Sequence, residues 1–319
     1  MKILVIEVSN LGDAILTWPA LQRLQTAFPG AEFHVLASPR TLGLFEGDPQ
    51  FRRVWRWERE SSPFWQVRLV VQLIAQRFGL VVDFRNSIIP LFLFGARRTP
   101  MLQRSSRAGV HRVEQHLCLL AGLGIPALSD GPFPIWTGEE DRRWVERFII
   151  PRVPLMVVSP GSRSHLKRWG AEKFARVADR LAAEHSAQII LVGDESECPI
   201  SKAVRDAMTM KGKALDLTGQ TTVRQLAALL ARAHLVVTND SACLHAAEAM
   251  GAPTLAIFGP TDEKKYGPRG KRSAVVRRRL VCAPCELALC PYGHECMKWL
   301  EVNEVYEAAA KILKNGSAG

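Results

Sequence analysis

Val236-Val-Thr-Asn-Asp240-Ser-Ala-Cys-Leu-His245-Ala-Ala-Glu-Ala-Met-Gly251 runs from a short apolar segment through a polar turn into a helical segment, and Pro253-Thr-Leu-Ala-Ile-Phe-Gly259-Pro-Thr261 then opens a second apolar segment. A strand, a helix and a second strand in that order form a βαβ unit, in which both strands lie parallel in one sheet. The turn at Asp240, Ser241 and Ala242 then stands at the carboxyl end of a strand, where open α/β sheets hold ligands. The amides that begin the following helix suit an anion such as a pyrophosphate, and His245 follows one turn later. His245 alone reads as a hydrogen-bonded helix residue; its place beside the helix end favours a functional role.

The same alternation extends in both directions. Strands are expected at Lys2 to Val8, Glu32 to Ala37, Arg53 to Arg56 and Leu80 to Phe84, then at Leu155 to Ser159, Gln188 to Val192, Ala214 to Leu217, Leu235 to Thr238 and Thr254 to Phe258. Helices fill most gaps, among them Ala14 to Phe28, Val113 to Leu123, Ala171 to Glu184 and Cys243 to Met250. Pro151 and Pro154 interrupt the pattern after a charged helical segment. The expected organisation is two Rossmann-like, doubly wound parallel-sheet domains, residues 1–150 and 151–300, with a C-terminal helix and tail at 301–319 that can pack on either.

Composition narrows the classes. A length of 319 residues favours two domains over one small module, and 47% hydrophobic with 23% charged residues excludes disordered, collagen-like and coiled-coil chains. The net charge of +11 points to an anionic ligand, nucleic acid or an acidic membrane face. Six arginines and no acid lie between Asp83 and Glu114: Arg85, Arg97, Arg98, Arg104, Arg107 and Arg112. No nucleic-acid motif accompanies them, so nucleic acid is not an expected partner. The apolar run Ile3 to Ile6 is too short for a signal peptide, and a cytoplasmic location is expected. Phe64 to Leu80 and Ile88 to Ala96 are interrupted or too short to span a bilayer. Each can lie on a membrane surface, although packing against a sheet explains such helices more commonly.

Three other turns carry chemistry. In Ser9-Asn-Leu-Gly-Asp13, Gly12 makes the turn and Asp13 opens a helix, either as a cap or as a reactive carboxylate. GxGxxG is absent there, which counts against NAD. The loop Ser159-Pro-Gly-Ser162-Arg-Ser-His-Leu-Lys167-Arg-Trp169 offers small residues and an ammonium to a phosphate without being a P-loop. At Gly193-Asp194-Glu195 a carboxylate either meets ribose hydroxyls or begins a helix. Finally, Cys282, Cys285, Cys290 and Cys296 form a C-x2-C-x4-C-x5-C cluster. Structural zinc, free thiols and disulfides all remain open for it, zinc being favoured in a reducing compartment.

Four of these elements together resemble the heptosyltransferase family of inverting glycosyltransferases: Leu11-Gly-Asp13-Ala-Ile-Leu-Thr17-x-Pro19, Pro160-Gly161 with Lys167-x-Trp169, Asn239-Asp240-Ser241 with His245, and Phe258-Gly-Pro-Thr261. The resemblance implies a GT-B architecture, with an acceptor domain and a nucleotide-sugar domain facing a central cleft. It implies transfer of heptose from ADP-heptose to the inner core of lipopolysaccharide at the cytoplasmic face of the inner membrane. Asp13 would be the general base and Lys167 would neutralise the leaving diphosphate. Ser162, Glu195, Asp240, Ser241, Ala242 and His245 would line the donor site, and Arg97, Arg98, Arg104 and Arg107 would meet the acidic acceptor. No cofactor is required for that reaction. The chain has Glu7 where many members have Arg, and Ser241-Ala242 in place of Thr-Gly. The alternatives are a GT-B transferase or epimerase using another nucleotide sugar, and a non-enzymatic basic protein binding membranes or nucleic acid.

Overall fold

The structure is a computed structural model that describes residues 1–58, 60–100, 109–126 and 133–316. Two compact units make up the chain, Met1–Trp136 and Thr137–Gly319. The division falls ahead of the expected break at 150, because the helix Glu139–Glu146 belongs with the second unit. There Arg224 pairs with its buried Asp141 at 3.3 Å.

In the first unit, β1 (Lys2–Glu7), β2 (Glu32–Ala37), β3 (Phe51–Arg56), β4 (Leu80–Asp83) and β5 (Arg97–Arg98) form one sheet in the order β3-β2-β1-β4-β5. Every pairing is parallel. The strands are linked through α1 (Leu11–Ala27), the short α2 (Leu42–Phe45) and α3 (Pro63–Ala75), and α4 (Arg112–Ala121) follows. The unbroken apolar run of Ile3 to Ile6 is fully buried, as expected of a parallel strand covered on both faces. The chain leaves β1 toward β2 on one side and later returns to β4 on the other. The carboxyl ends of β1 and β4 therefore meet at a topological switch point, with Ile6 opposite Asp83.

The second unit begins with α5 (Glu139–Glu146). Its sheet contains β6 (Leu155–Ser159), β7 (Gln188–Leu191), β8 (Ala214–Asp216), β9 (Leu235–Asn239), β10 (Thr254–Phe258) and β11 (Ser273–Arg277), in the order β11-β10-β9-β6-β7-β8. Again all pairs are parallel, and the switch point lies between β6 and β9, with Ser159 opposite Thr238. Its other helices are α6 (Ala171–Glu184), α7 (Cys198–Ala207), α8 (Val223–Leu230), α9 (Ala242–Ala249), the short α10 (Glu263–Tyr266) and α11 (Glu295–Lys298), and α12 (Val302–Gly316). On α6, Phe174, Ala175, Val177, Ala178, Leu181 and Ala182 recur at helical spacing and are buried in the core. Val305, Tyr306, Ala309 and Ile312 of α12 join the same core, so the terminal helix is part of this unit.

Candidate active site

Each unit carries polar groups at its own switch point. In the first, α1 starts directly after β1, and its N-cap is Asn10, not Asp13. Asp13 stands in the first helical turn with its carboxylate partly exposed, and Arg85 Nη1 lies 3.9 Å from its Oδ2. Arg85 is held there by the turn after β4. Asp83 Oδ1 accepts the Arg85 amide at 2.8 Å, and Oδ2 accepts the Ser87 amide and hydroxyl at 2.6 and 2.8 Å. Glu7, at the end of β1, is fully buried and accepts a hydrogen bond from the Ser9 hydroxyl. Burial drives its carboxyl up to about 7, and the charge of Asp13 adds to the rise, against Ser9 and Arg85, which favour ionisation.

Arg97 and Arg98 are not brought to Asp13. They pair with Leu80 and Val81, level with the start of β1, and are exposed at the sheet edge. At about 3.3 Å per residue the end of β1 is on the order of 10 Å further along. Arg97 donates to the Leu123 carbonyl at 3.5 Å and Arg98 to that of Pro90 at 3.2 Å. Arg104 and Arg107 lie outside the described residues. Arg85 was legible only as one of a run of cations, because its approach to Asp13 depends on which strands are neighbours.

The second unit gathers the expected donor residues. Lys167 Nζ lies 2.6 Å from Asp240 Oδ2, the lysine 30% and the aspartate 5% exposed. Ser162, itself buried, donates to the Asp240 carbonyl at 3.1 Å. Asn239 ties the two loops together: Nδ2 donates to the Pro160 carbonyl at 2.7 Å, and Oδ1 accepts the Trp169 amide at 3.2 Å. Ser241 is the N-cap of α9, but its hydroxyl makes no capping bond and lies 3.2 Å from that of Thr238. Ala242 begins the helix and is partly exposed, and His245 is buried one turn on. The loop amides and the α9 terminus thus sit beside a lysine that an acidic partner already holds in place, an arrangement able to take a diphosphate.

At the third turn the structure turns a different carboxylate inward. Glu195 is exposed, whereas Glu197 is buried, and its Oε2 accepts the Asp194 amide at 3.1 Å. Its carboxyl group fills the space beside two glycines. A Cβ on Gly161 would lie 2.1 Å from Glu197 Cδ, and one on Gly193 would lie 2.7 Å from Oε2. Burial raises the pKa of Glu197. The sequence signal was two glycines each ending a strand, and only the packing shows what they accommodate.

The cysteine segment wraps against the same face. The Cys285 and Glu286 amides donate to the Pro260 carbonyl, each at 2.9 Å, and His294 Nε2 bonds the Leu166 carbonyl. Cys282, Cys285, Cys290 and Cys296 line one cavity of about 190 Å³ with Leu166, Pro260 and Tyr292, and all are free thiols. Among the described residues no three His, Cys, Asp or Glu side chains form a group that could hold a metal ion. The spacing suggests a ligand set, and the fold brings the four thiols to one cavity. Cys243, at the start of α9, is buried, and burial pushes its thiol up to about 12.

The model of glycosyltransferase family 9 (heptosyltransferase) matches residues 127–295, more than half of the chain. The chain belongs to this family of glycosyltransferases. It is 27% identical over 328 residues to lipooligosaccharide heptosyltransferase 2 of Campylobacter jejuni, an alignment covering 99% of each chain. Among solved structures, a family 9 glycosyl transferase from Veillonella parvula is similar, with a TM-score of 0.85 at 21% identity, over 98% of this chain and 97% of that one. The E. coli ADP-heptose LPS heptosyltransferase II gives 0.79 at 21% identity, over 99% and 100%. These glycosyltransferases share the GT-B fold, and both switch points described above lie within the shared fold.

Proposed function

We propose that this glycosyltransferase moves a heptose from ADP-heptose to the inner core of lipopolysaccharide, with inversion at the anomeric carbon. Asp13 takes the proton of the acceptor hydroxyl as its oxygen forms a bond to that carbon, while the bond to the diphosphate breaks from the opposite side. Lys167 and the amides of α9 meet the charge that develops on the departing ADP. With that charge supplied by the chain, no cofactor is required. Arg85, beside Asp13, is better placed than Arg97 or Arg98 to meet a carboxylate or phosphate of the acceptor. Glu197, inward of Gly161, is a stronger candidate than Glu195 for contact with the donor nucleoside. An acceptor anchored in a bilayer places the working enzyme at the cytoplasmic face of the inner membrane.

The observation that carries this reading is the Lys167–Asp240 pair at the head of α9, 2.6 Å apart at a switch point of a family 9 chain. The test is a thermal-shift panel of ADP, UDP, GDP, CMP and NAD. A ligand at about 100 times its Kd adds roughly 2.7 kcal/mol of stability, so ADP is expected to raise the melting temperature and the others to leave it nearly unchanged. A preference for UDP or GDP would replace the donor, and no response to any nucleotide would overturn the reading.

A further inference from the structure

Helix α3 is apolar on both sides. Leu69 and Leu73 are buried with Ile89 and Leu93 in one core cluster. On the opposite face Phe64 (78% exposed), Val67 (62%), Val71 (58%) and Ile74 (41%) recur at spacings of three and four and stand in solvent. At 100° per residue these four fall within an arc of about 80°, a continuous stripe. The segment after β4, which packs on the same helix through Ile89 and Leu93, has Ile88 at 66% and Phe94 at 84% exposed, flanked by Leu91 and Phe92. Isolated exposed apolar residues need no explanation, but two adjoining segments of them mark a surface made to be covered.

Within the two segments the charge has one sign, with Glu60 exposed just ahead of them. From Ser61 to Val113 the only acidic residue is Asp83, which is buried and occupied by the turn that holds Arg85. Arg68 lies on α3 and Arg77 just beyond its end, both exposed, and Arg98 is fixed to Pro90 within the second segment. Glu58, ahead of α3, is paired with Arg56. Long arginine stems can lie along apolar surface while their guanidinium groups reach phosphates. A second copy of the chain is a poor occupant, because two-fold pairing would set this patch and its arginines against themselves.

We infer that the outer face of α3 and the Ile88–Phe94 segment form a docking surface for an anionic phospholipid bilayer. The inference rests on the reading of a membrane-anchored acceptor and names the surface that would meet the membrane. Apolar side chains enter the acyl boundary and the arginines engage lipid phosphates, each contact being weak and the sum dependent on salt.

The experiment is flotation of the full chain with vesicles of phosphatidylcholine, with and without phosphatidylglycerol. The wild type is expected to float with the anionic vesicles and to be released by salt. Phe64→Gln, Val71→Gln and Phe94→Gln together are expected to reduce the floating fraction about tenfold, and Arg68→Glu to reduce it less. Every altered side chain is exposed, so circular dichroism and ADP stabilisation, a property of the other unit, should be unchanged. Undiminished flotation of the triple variant would overturn the inference. So would a wild type that stays at the bottom of the gradient, or one that is dimeric and becomes monomeric in the triple variant. Loss of ADP stabilisation in the wild type would instead refute the donor assignment and leave flotation as an independent result.

Discussion

Asp13 and Glu7 show how two carboxylates a few residues apart come to differ. Asp13 is partly exposed beside Arg85, while Glu7 lies beneath it with its carboxyl raised to about 7 by burial. Asp13→Ala is expected to lower kcat by about 100- to 10,000-fold while ADP binding, measured by calorimetry, stays at the wild-type value. Glu7 governs stability. Below about pH 4.5 both folded and unfolded states hold its proton, so it costs nothing. Between about 4.5 and 7 the unfolded state loses the proton first and stability falls as pH rises; above 7 the cost is constant at roughly 3 kcal/mol. Urea midpoints should therefore show Glu7→Gln raising stability at pH 8 and doing so far less at pH 5, and equal gains at both would disprove the assignment. Gly161→Ala should cost about 1–3 kcal/mol, since the new methyl would overlap the Glu197 carboxyl. At this scale Asp13, Lys167, Asp240 and Ser162 were legible in the sequence because each follows a recognisable strand. Glu197 was not, since Glu195 and Glu197 differ in direction and direction depends on the turn of the 3-10 helix between them.

Elements whose periodicity is set by burial on both faces were read closely. β2, β6, β10 and α6 have the expected limits, and β9 extends one residue beyond its expected end to Asn239. Two edge strands, β5, inside the arginine-rich stretch, and β11, are absent from the sequence reading, because an edge strand without a buried apolar run has no sequence signature beyond its pairing. The same limitation explains α3. Its apolar character was plain, but only the fold shows that one apolar face is left in solvent. Within the second unit the junction between β9 and α9 depends on Asn239, which is fully buried and bonds to both ends of the Pro160–Trp169 loop. Asn239→Ala would strand two backbone groups and is expected to cost roughly 2–5 kcal/mol in chemical denaturation. It should also weaken ADP binding, because it releases the loop that carries Lys167.

For the whole molecule, two parallel sheets, each with a switch point, give two places for ligands, and the family model matches the part of the chain that holds the second. The expected boundary at 150 was late because a charged amphipathic helix gives no sign of which neighbour it will pack against; Asp141 and Arg224 settle α5 on the second unit. No helix among the described residues is long and apolar enough to cross a membrane. Incubation with ADP-heptose and a heptose-deficient inner-core acceptor, followed by mass spectrometry of the acceptor and quantitation of the nucleotide, tests the central claim. One heptosyl residue gained per ADP released, and neither product with Asp13→Ala, is the predicted result. Consumption of the nucleotide sugar with an unchanged acceptor would contradict the account.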